Sequence, residues 1–111
     1  MAKGDFVGEF ELYVMLAIAH LAGEAYGIAI RRAIEERTGR EIAIGAVYAT
    51  LARLEEKRLV RFSLSRPQPV PGGRARKIYA LSPDGKRALR HSTTMMTRMM
   101  AGLALDPARP E

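Results

Sequence analysis

The segment from Leu59 to Leu81 limits the folds open to this chain more than any other. Leu59-Val60-Arg61-Phe62-Ser63-Leu64 alternates in the manner of a strand, and Ala75 to Leu81 reads as its return, with Ile78 and Tyr79 available for packing. Between them, Pro67, Pro69, Pro71, Gly72 and Gly73 make a loop that cannot continue a ladder. The segment is therefore a two-stranded hairpin with a long tip. It stands in a chain that is otherwise helical in pattern.

Upstream, Glu9 to Leu21 carries Phe10, Leu12, Val14, Met15, Leu16, Ile18 and Leu21. This helix is apolar over most of its circumference and expects burial on more than one side, the second side being a candidate subunit contact. Ala25 to Thr38 reads as a second helix, with Ile30, Ala33, Ile34 and Arg37 at helical spacing, and Gly39 stands where a left-handed cap belongs. Glu41 to Ile44 reads as a short extended link. A third helix is expected over Gly45 to Lys57, with Val47, Leu51 and Leu54 on one stripe. After the hairpin, Ser82-Pro83-Asp84 is a helix start made of a capping hydroxyl, a first-position proline and an acid in the first turn. The helix it opens is expected to run to about Leu103.

These elements divide the chain into a lead-in over 1–8, a unit of three helices and a hairpin over 9–82, a C-terminal helix over 83–104 and a tail over 105–111. At 111 residues the chain fits one small domain, for which oligomerisation is a common source of further burial. The absence of Cys excludes disulfide scaffolds and thiol chemistry, and with His20 and His91 as the sole imidazoles no protein-only metal site and no cofactor are expected. No apolar run has the length of a membrane span, and Met1-Ala2-Lys3-Gly4-Asp5 lacks the order of a signal peptide, so a cytoplasmic protein without membrane contact is expected. No His-Glu-x-x-His, Gly-x-Ser-x-Gly or phosphate-loop spacing occurs, and no enzyme is expected.

The charge is unevenly placed. Between Arg53 and Arg90 lie 11 Lys or Arg and 3 Asp or Glu, a net of +8 in a chain whose total is +6. A concentrated positive surface suits a polyanion, duplex DNA first, though charge alone is equally compatible with a solvated face. Three helices followed by a basic hairpin match the winged helix-turn-helix layout. There a helix enters the major groove and the wing cations reach flanking phosphates. On the third helix, Gly45, Ala49, Ala52 and Arg53 face outward, with Ala46, Tyr48 and Thr50 on the flanks. Arg53 can reach a phosphate, Thr50 a base or phosphate, and Tyr48 a phosphate through its hydroxyl.

Residues 45–55 form a Gly-x-x-Tyr-x-x-Leu-x-x-Leu block, followed by Leu59-Val60 and by Gly73-Arg74-Ala75-Arg76-Lys77-Ile78-Tyr79-Ala80-Leu81. With Gly8-Glu9-Phe10-Glu11, Ala25-Tyr26-Gly27, Ser82 and Gly85, they resemble the PadR family of bacterial winged-helix transcriptional regulators over roughly residues 8–90. The resemblance implies a mainly α fold with a small β-hairpin, a winged helix-turn-helix plus a C-terminal dimerisation helix. It implies a homodimer that represses nearby genes and whose last helix crosses between subunits. It puts Tyr48, Ala49, Thr50 and Arg53 on the DNA-facing helix and makes Arg74, Arg76 and Lys77 the wing cations. Some members bind phenolic acids or drugs near the dimer interface. Two positions depart from the family pattern. Ala43 replaces a capping Ser or Thr, and Arg58 replaces a Gly in a place that needs a left-handed backbone.

Met95, Met96, Met99, Met100 and Leu103 form an apolar stripe on the last helix. It suits a dimer seam against the partner's first helix, through Phe10 and Val14, or an adaptable pocket for a small apolar or aromatic effector. The combined expectation is a homodimeric regulator on a pseudo-palindromic operator. The alternative is a protein–protein interaction module of the same fold without specific DNA binding.

Overall fold

In the computed structural model, residues 7–66 and 75–105 are described. The lead-in before residue 7, the wing tip over 67–74 with Arg74, and the tail beyond 105 lie outside the described residues. The order of elements is α1 (Glu9–Leu21), α2 (Gly27–Thr38), α3 (Ile44–Glu56), β1 (Val60–Leu64), β2 (Lys77–Leu81) and α4 (Pro83–Met100). The strands pair antiparallel, with Val60 opposite Leu81, Phe62 opposite Tyr79 and Leu64 opposite Lys77. The chain is mainly α with one small hairpin.

Helix ends follow local chemistry where it is strong. The Glu11 carboxylate accepts from the Gly8 amide at 2.9 Å and so caps the start of α1. Gly39 closes α2 in the left-handed region at φ 74°. Arg58 follows α3 at φ 60°, the strained conformation its position predicts for a non-glycine residue. The Ser82 hydroxyl accepts from the Gly85 amide at 2.9 Å, with Pro83 in the first turn of α4. Ala43 precedes α3 with no capping hydrogen bond from its side chain, as its methyl requires.

Several boundaries differ from the sequence reading: α3 ends at Glu56 and not Lys57, β1 starts at Val60 and not Leu59, β2 starts at Lys77 and not Ala75, and three further differences have a visible reason. Helix α2 starts at Gly27, not Ala25, because the extended Ala25 carbonyl accepts from the Tyr79 amide at 2.8 Å and ties β2 to the base of α2. The 41–44 link forms no strand. Its Ile42 amide donates to the Glu35 carboxylate at 3.0 Å instead of to a ladder, and Ile44 already belongs to α3. Helix α4 stops at Met100, before Leu103, ahead of a left-handed Gly102.

The core sits between α1, α2 and α3 and is sealed by the hairpin. Val14, Met15, Ile30, Val47, Leu51 and Leu54 are fully buried, and Leu59, Val60 and Tyr79 close the open end. Val14 is 0% exposed within its own chain, which corrects its assignment to a dimer contact: α1 turns Val14 inward against α2 and α3. Helix α4 touches this core through Ala88 and Leu89 and buries Gly85, then extends away from it.

A part-buried ion pair joins the two ends of the helical unit. Lys57 Nζ lies 2.9 Å from Glu11 Oε2 and 3.0 Å from Oε1, with Glu11 itself buried. Burial pushes the Glu11 carboxyl up, but the Gly8 amide, the Lys57 hydrogen bond and the charges of Lys57 and Arg53 outweigh it and hold it below its ordinary 4.5. A lowered folded-state value means that the pair stabilises at neutral pH and that this contribution is lost as the pH falls through the folded-state value. Glu11→Gln is expected to cost about 2 kcal/mol at pH 7. The gap to wild type should narrow in urea melts as the pH is lowered from 7 through the carboxylate range. A gap that stays constant with pH would show that the Glu11 charge contributes nothing.

Candidate nucleic-acid interface

The outward face of α3 is built from small residues. Val47, Leu51 and Leu54 turn inward, which leaves Gly45, Ala46, Ala49, Ala52 and Arg53 exposed. A strip of hydrogen and methyl groups allows close approach to a groove floor, and Arg53 supplies a cation at its C-terminal end. The first turn of α3 contains no acid, and the carboxylate nearest in the hydrogen-bond pattern is that of Glu35, on the Ile42 amide just before the helix.

Thr50 does not belong to that face. It is 1% exposed, and its hydroxyl accepts from Arg53 Nη2 at 2.9 Å. The expected base or phosphate contact is therefore corrected. Thr50 lies on the core side of the flank and orients the Arg53 guanidinium from below. Tyr48, on the opposite flank, is 49% exposed. Its ring lies against Gly27 at the start of α2, where a methyl group would come within 2.6 Å of the Tyr48 hydroxyl oxygen and ring carbon.

The wing lies beside α3. Arg76 and Lys77 are exposed at the loop end of the paired strands, away from the Val60–Leu81 end. The Arg76 amide donates to Ser65 Oγ at 2.8 Å and its carbonyl accepts from the Ser65 amide at 2.8 Å, which fixes the backbone there. Its guanidinium lies over the Tyr26 ring, 4.3 Å from the centroid, and Lys77 Nζ sits over Phe62 at the same distance. Arg74 lies outside the described residues. Tyr79 is buried beneath the wing. Burial, the nearby Glu55 carboxylate and Tyr48 push its phenol above the ordinary value, so it stays neutral and structural at physiological pH.

Tyr26, Gly27, Ile28, Tyr48, Arg76 and Lys77 thus surround one cleft of about 340 Å³ between α2, α3 and the wing. Sequence reasoning gave no role to Tyr26, Gly27 or Phe62. Tyr26 and Arg76 are far apart along the chain, and no periodicity links them.

The expected dimer residues divide in two. Met96, Met99 and Leu103 are 55%, 77% and 54% exposed, and Met95 is half-buried. Phe10 is half-buried with its ring edge-on to Tyr13, and Val14 is internal. Among the described residues no helix is long and apolar enough to cross a membrane.

Comparison with known proteins agrees with this arrangement. The model of the transcriptional regulator PadR-like family matches residues 15–91. An uncharacterized 37.1 kDa protein in transposon Tn4556 of Streptomyces fradiae is 34% identical over 98 residues. That match covers 87% of this chain but 26% of the relative, so the chain spans only a fraction of that protein's length. Among solved structures, a PadR family transcription regulator from hypervirulent Clostridium difficile has a TM-score of 0.68 at 25% identity, over 84% of this chain and 95% of that one. The complex structure of RosR-SG, from H. salinarum, has a TM-score of 0.70 at 25% identity, over 93% and 84% respectively. With the family model spanning most of the chain and the winged-helix arrangement in place beneath it, this chain belongs to the PadR-like family of transcriptional regulators.

Proposed function

We propose that the chain acts as a homodimeric, sequence-specific DNA-binding repressor in the cytoplasm, with α3 in the major groove and the wing on flanking phosphates. The observation that supports this best is the meeting of two unlike surfaces at one cleft. Tyr48, on the flank of the small-residue face of α3, lines one cleft with Arg76 and Lys77 of the wing. A protein-binding surface would be depleted of charge at its centre, whereas a duplex needs this pairing of close approach and cations.

Two such faces in a dimer suit two half-sites about one helical turn apart. Few bidentate base contacts are available to Ala46, Ala49 and Ala52, so groove shape and deformability carry much of the sequence preference. A small apolar or aromatic effector at the α4 seam would act by binding one spacing of the two α3 helices better than another.

The test is selection of fragmented genomic DNA on the purified protein, followed by sequencing, with affinity for the recovered site measured against salt. An inverted repeat and a steep salt dependence are the expected results. Arg76→Ala should weaken binding and lower the salt slope by about one per contact removed. An unchanged slope would remove the wing from the interface. Recovery of no enriched site would leave the protein-interaction role as the better account.

A further inference from the structure

The cleft at the start of α2 contains more than two exposed DNA-facing groups. Three consecutive residues, Ala25, Tyr26 and Gly27, each hold a different part of the interface. The Ala25 carbonyl accepts from the Tyr79 amide at 2.8 Å and so fixes β2, the strand that begins directly after Arg76. The Tyr26 ring lies under the Arg76 guanidinium at 4.3 Å. Gly27 leaves room for the Tyr48 ring, which lies where any side chain at position 27 would begin. The Tyr26 backbone is itself fixed, because its carbonyl accepts from Ile30 at 2.9 Å in the first turn of α2.

Stacking leaves Arg76 chemically free at its edges. A guanidinium on an aromatic face uses its π surface, while its N–H donors point outward in the plane and remain open to an oxyanion. Tyr48 and Arg76 line one cleft, one offering a hydroxyl and the other a cationic fork, with Lys77 adding charge beside them. A hydroxyl and a guanidinium facing one space match the tetrahedral, singly charged phosphodiester.

We propose that this cleft seats one backbone phosphate of duplex DNA, between the Tyr48 hydroxyl and the Arg76 guanidinium, and that Gly27 and Tyr26 are the positioning residues for those two groups. The proposal rests on the DNA-binding reading above. It goes further in making α2, which enters neither groove, the element that sets the distance between recognition helix and wing.

Gly27→Ala forces the Tyr48 ring out of its seat. The ring is half-exposed and free to swing outward, so the variant is expected to keep the wild-type melting temperature. Its affinity for a mixed-sequence duplex of about two helical turns at low salt should fall about tenfold, with the salt slope unchanged, because a neutral group is displaced. In a Tyr48→Ala background the same change should have no further effect, since the seat is then empty. Tyr26→Leu should weaken binding about threefold through loss of the stacking, and Tyr26→Phe, which keeps the ring, should restore it.

Losses at Gly27 and Tyr48 that simply add, or Gly27→Ala binding like wild type, would overturn the proposal while leaving the DNA-binding reading intact. Should Gly27→Ala fail to fold, the Tyr26→Leu and Tyr26→Phe pair decides, and equal affinities for the two would overturn it. A wild-type protein that shows no salt-dependent binding to the duplex removes the DNA-binding reading, and the proposal with it.

Discussion

Replacing Gly85 with alanine is expected to lower stability by about 3 kcal/mol and the melting temperature by about 15 °C, against the usual preference of a helix for alanine. Gly85 lies in the first turn of α4, where that helix rests on the turn after α3. An added methyl carbon would overlap the Leu59 carbonyl oxygen and lie 2.9 Å from its carbonyl carbon. Neither partner can rotate aside, because both are backbone. The Leu59 amide donates to Leu54 at 2.9 Å and its carbonyl accepts from Ser82 at 3.0 Å, so the obstructing group is held on both sides. Relief requires lifting the whole start of α4. Ser82→Ala makes the useful comparison: it removes the cap and the hydroxyl's bond to the Arg58 carbonyl at 2.7 Å, at a cost of about 1 kcal/mol without a clash. Thermal melts of the two variants should therefore rank Gly85→Ala well below Ser82→Ala. The reverse order would mean that α4 docks on Leu59 too loosely for the contact to matter.

The features that could be read in advance are those encoded by neighbours in the chain. Ser82-Pro83-Asp84 marks the start of α4 and Gly39 the end of α2, because each depends on a few adjacent residues, whereas the left-handed turn at Arg58 is expected only from the family pattern. Thr50 was misassigned for a geometric reason. It sits on the boundary between the buried stripe and the open face of α3, and a helical wheel cannot say on which side of such a boundary packing places a short side chain. Val14 failed in the same way, since a helix apolar on nearly all sides does not show which residues face its own chain. The contacts that organise the interface were not legible at all. The stacking of Tyr26 under Arg76, the fit of Tyr48 on Gly27 and the bond from Tyr79 to Ala25 join residues brought together only by the fold.

Those long-range contacts make a continuous mechanical path. Ser82, at the head of α4, bonds to the Arg58 and Leu59 carbonyls in the turn that ends α3. β2, which leads directly into Ser82, is tied to Ala25. A tilt of α4 therefore bears on the end of α3 and on the hairpin together. In a dimer built on α4, a change at the seam would reach the DNA-facing surface through these few bonds.

Met99→Lys is expected to dissociate the proposed dimer and, with it, to remove high-affinity DNA binding. Helix α4 is 18 residues long and buries only Gly85 among them, while Met96, Met99, Leu103 and Leu105 stand 55%, 77%, 54% and 63% exposed. A helix that projects with an uncovered apolar stripe has little to stabilise it in water beyond its own propensity. A second copy laid along the stripe covers it on both chains at once, and each Met or Leu fully buried contributes about 1.5–3 kcal/mol. Met99 is the most exposed of the four, so it belongs to the part of the stripe that its own chain covers least. Two-fold symmetry places the lysine charge on the seam twice. At about 2 kcal/mol for each copy, the dissociation constant should rise about a thousandfold, enough to give monomers at micromolar concentration. Sedimentation velocity reads this directly, and the circular dichroism of the winged-helix unit should remain, because Met99 lies outside its core. Loss of the dimer leaves a single half-site contact, so the salt slope on an inverted repeat should fall to about half that of wild type. A Met99→Lys protein that still sediments as a dimer would place the seam elsewhere, and the exposed stripe would then be free to act as the effector surface instead.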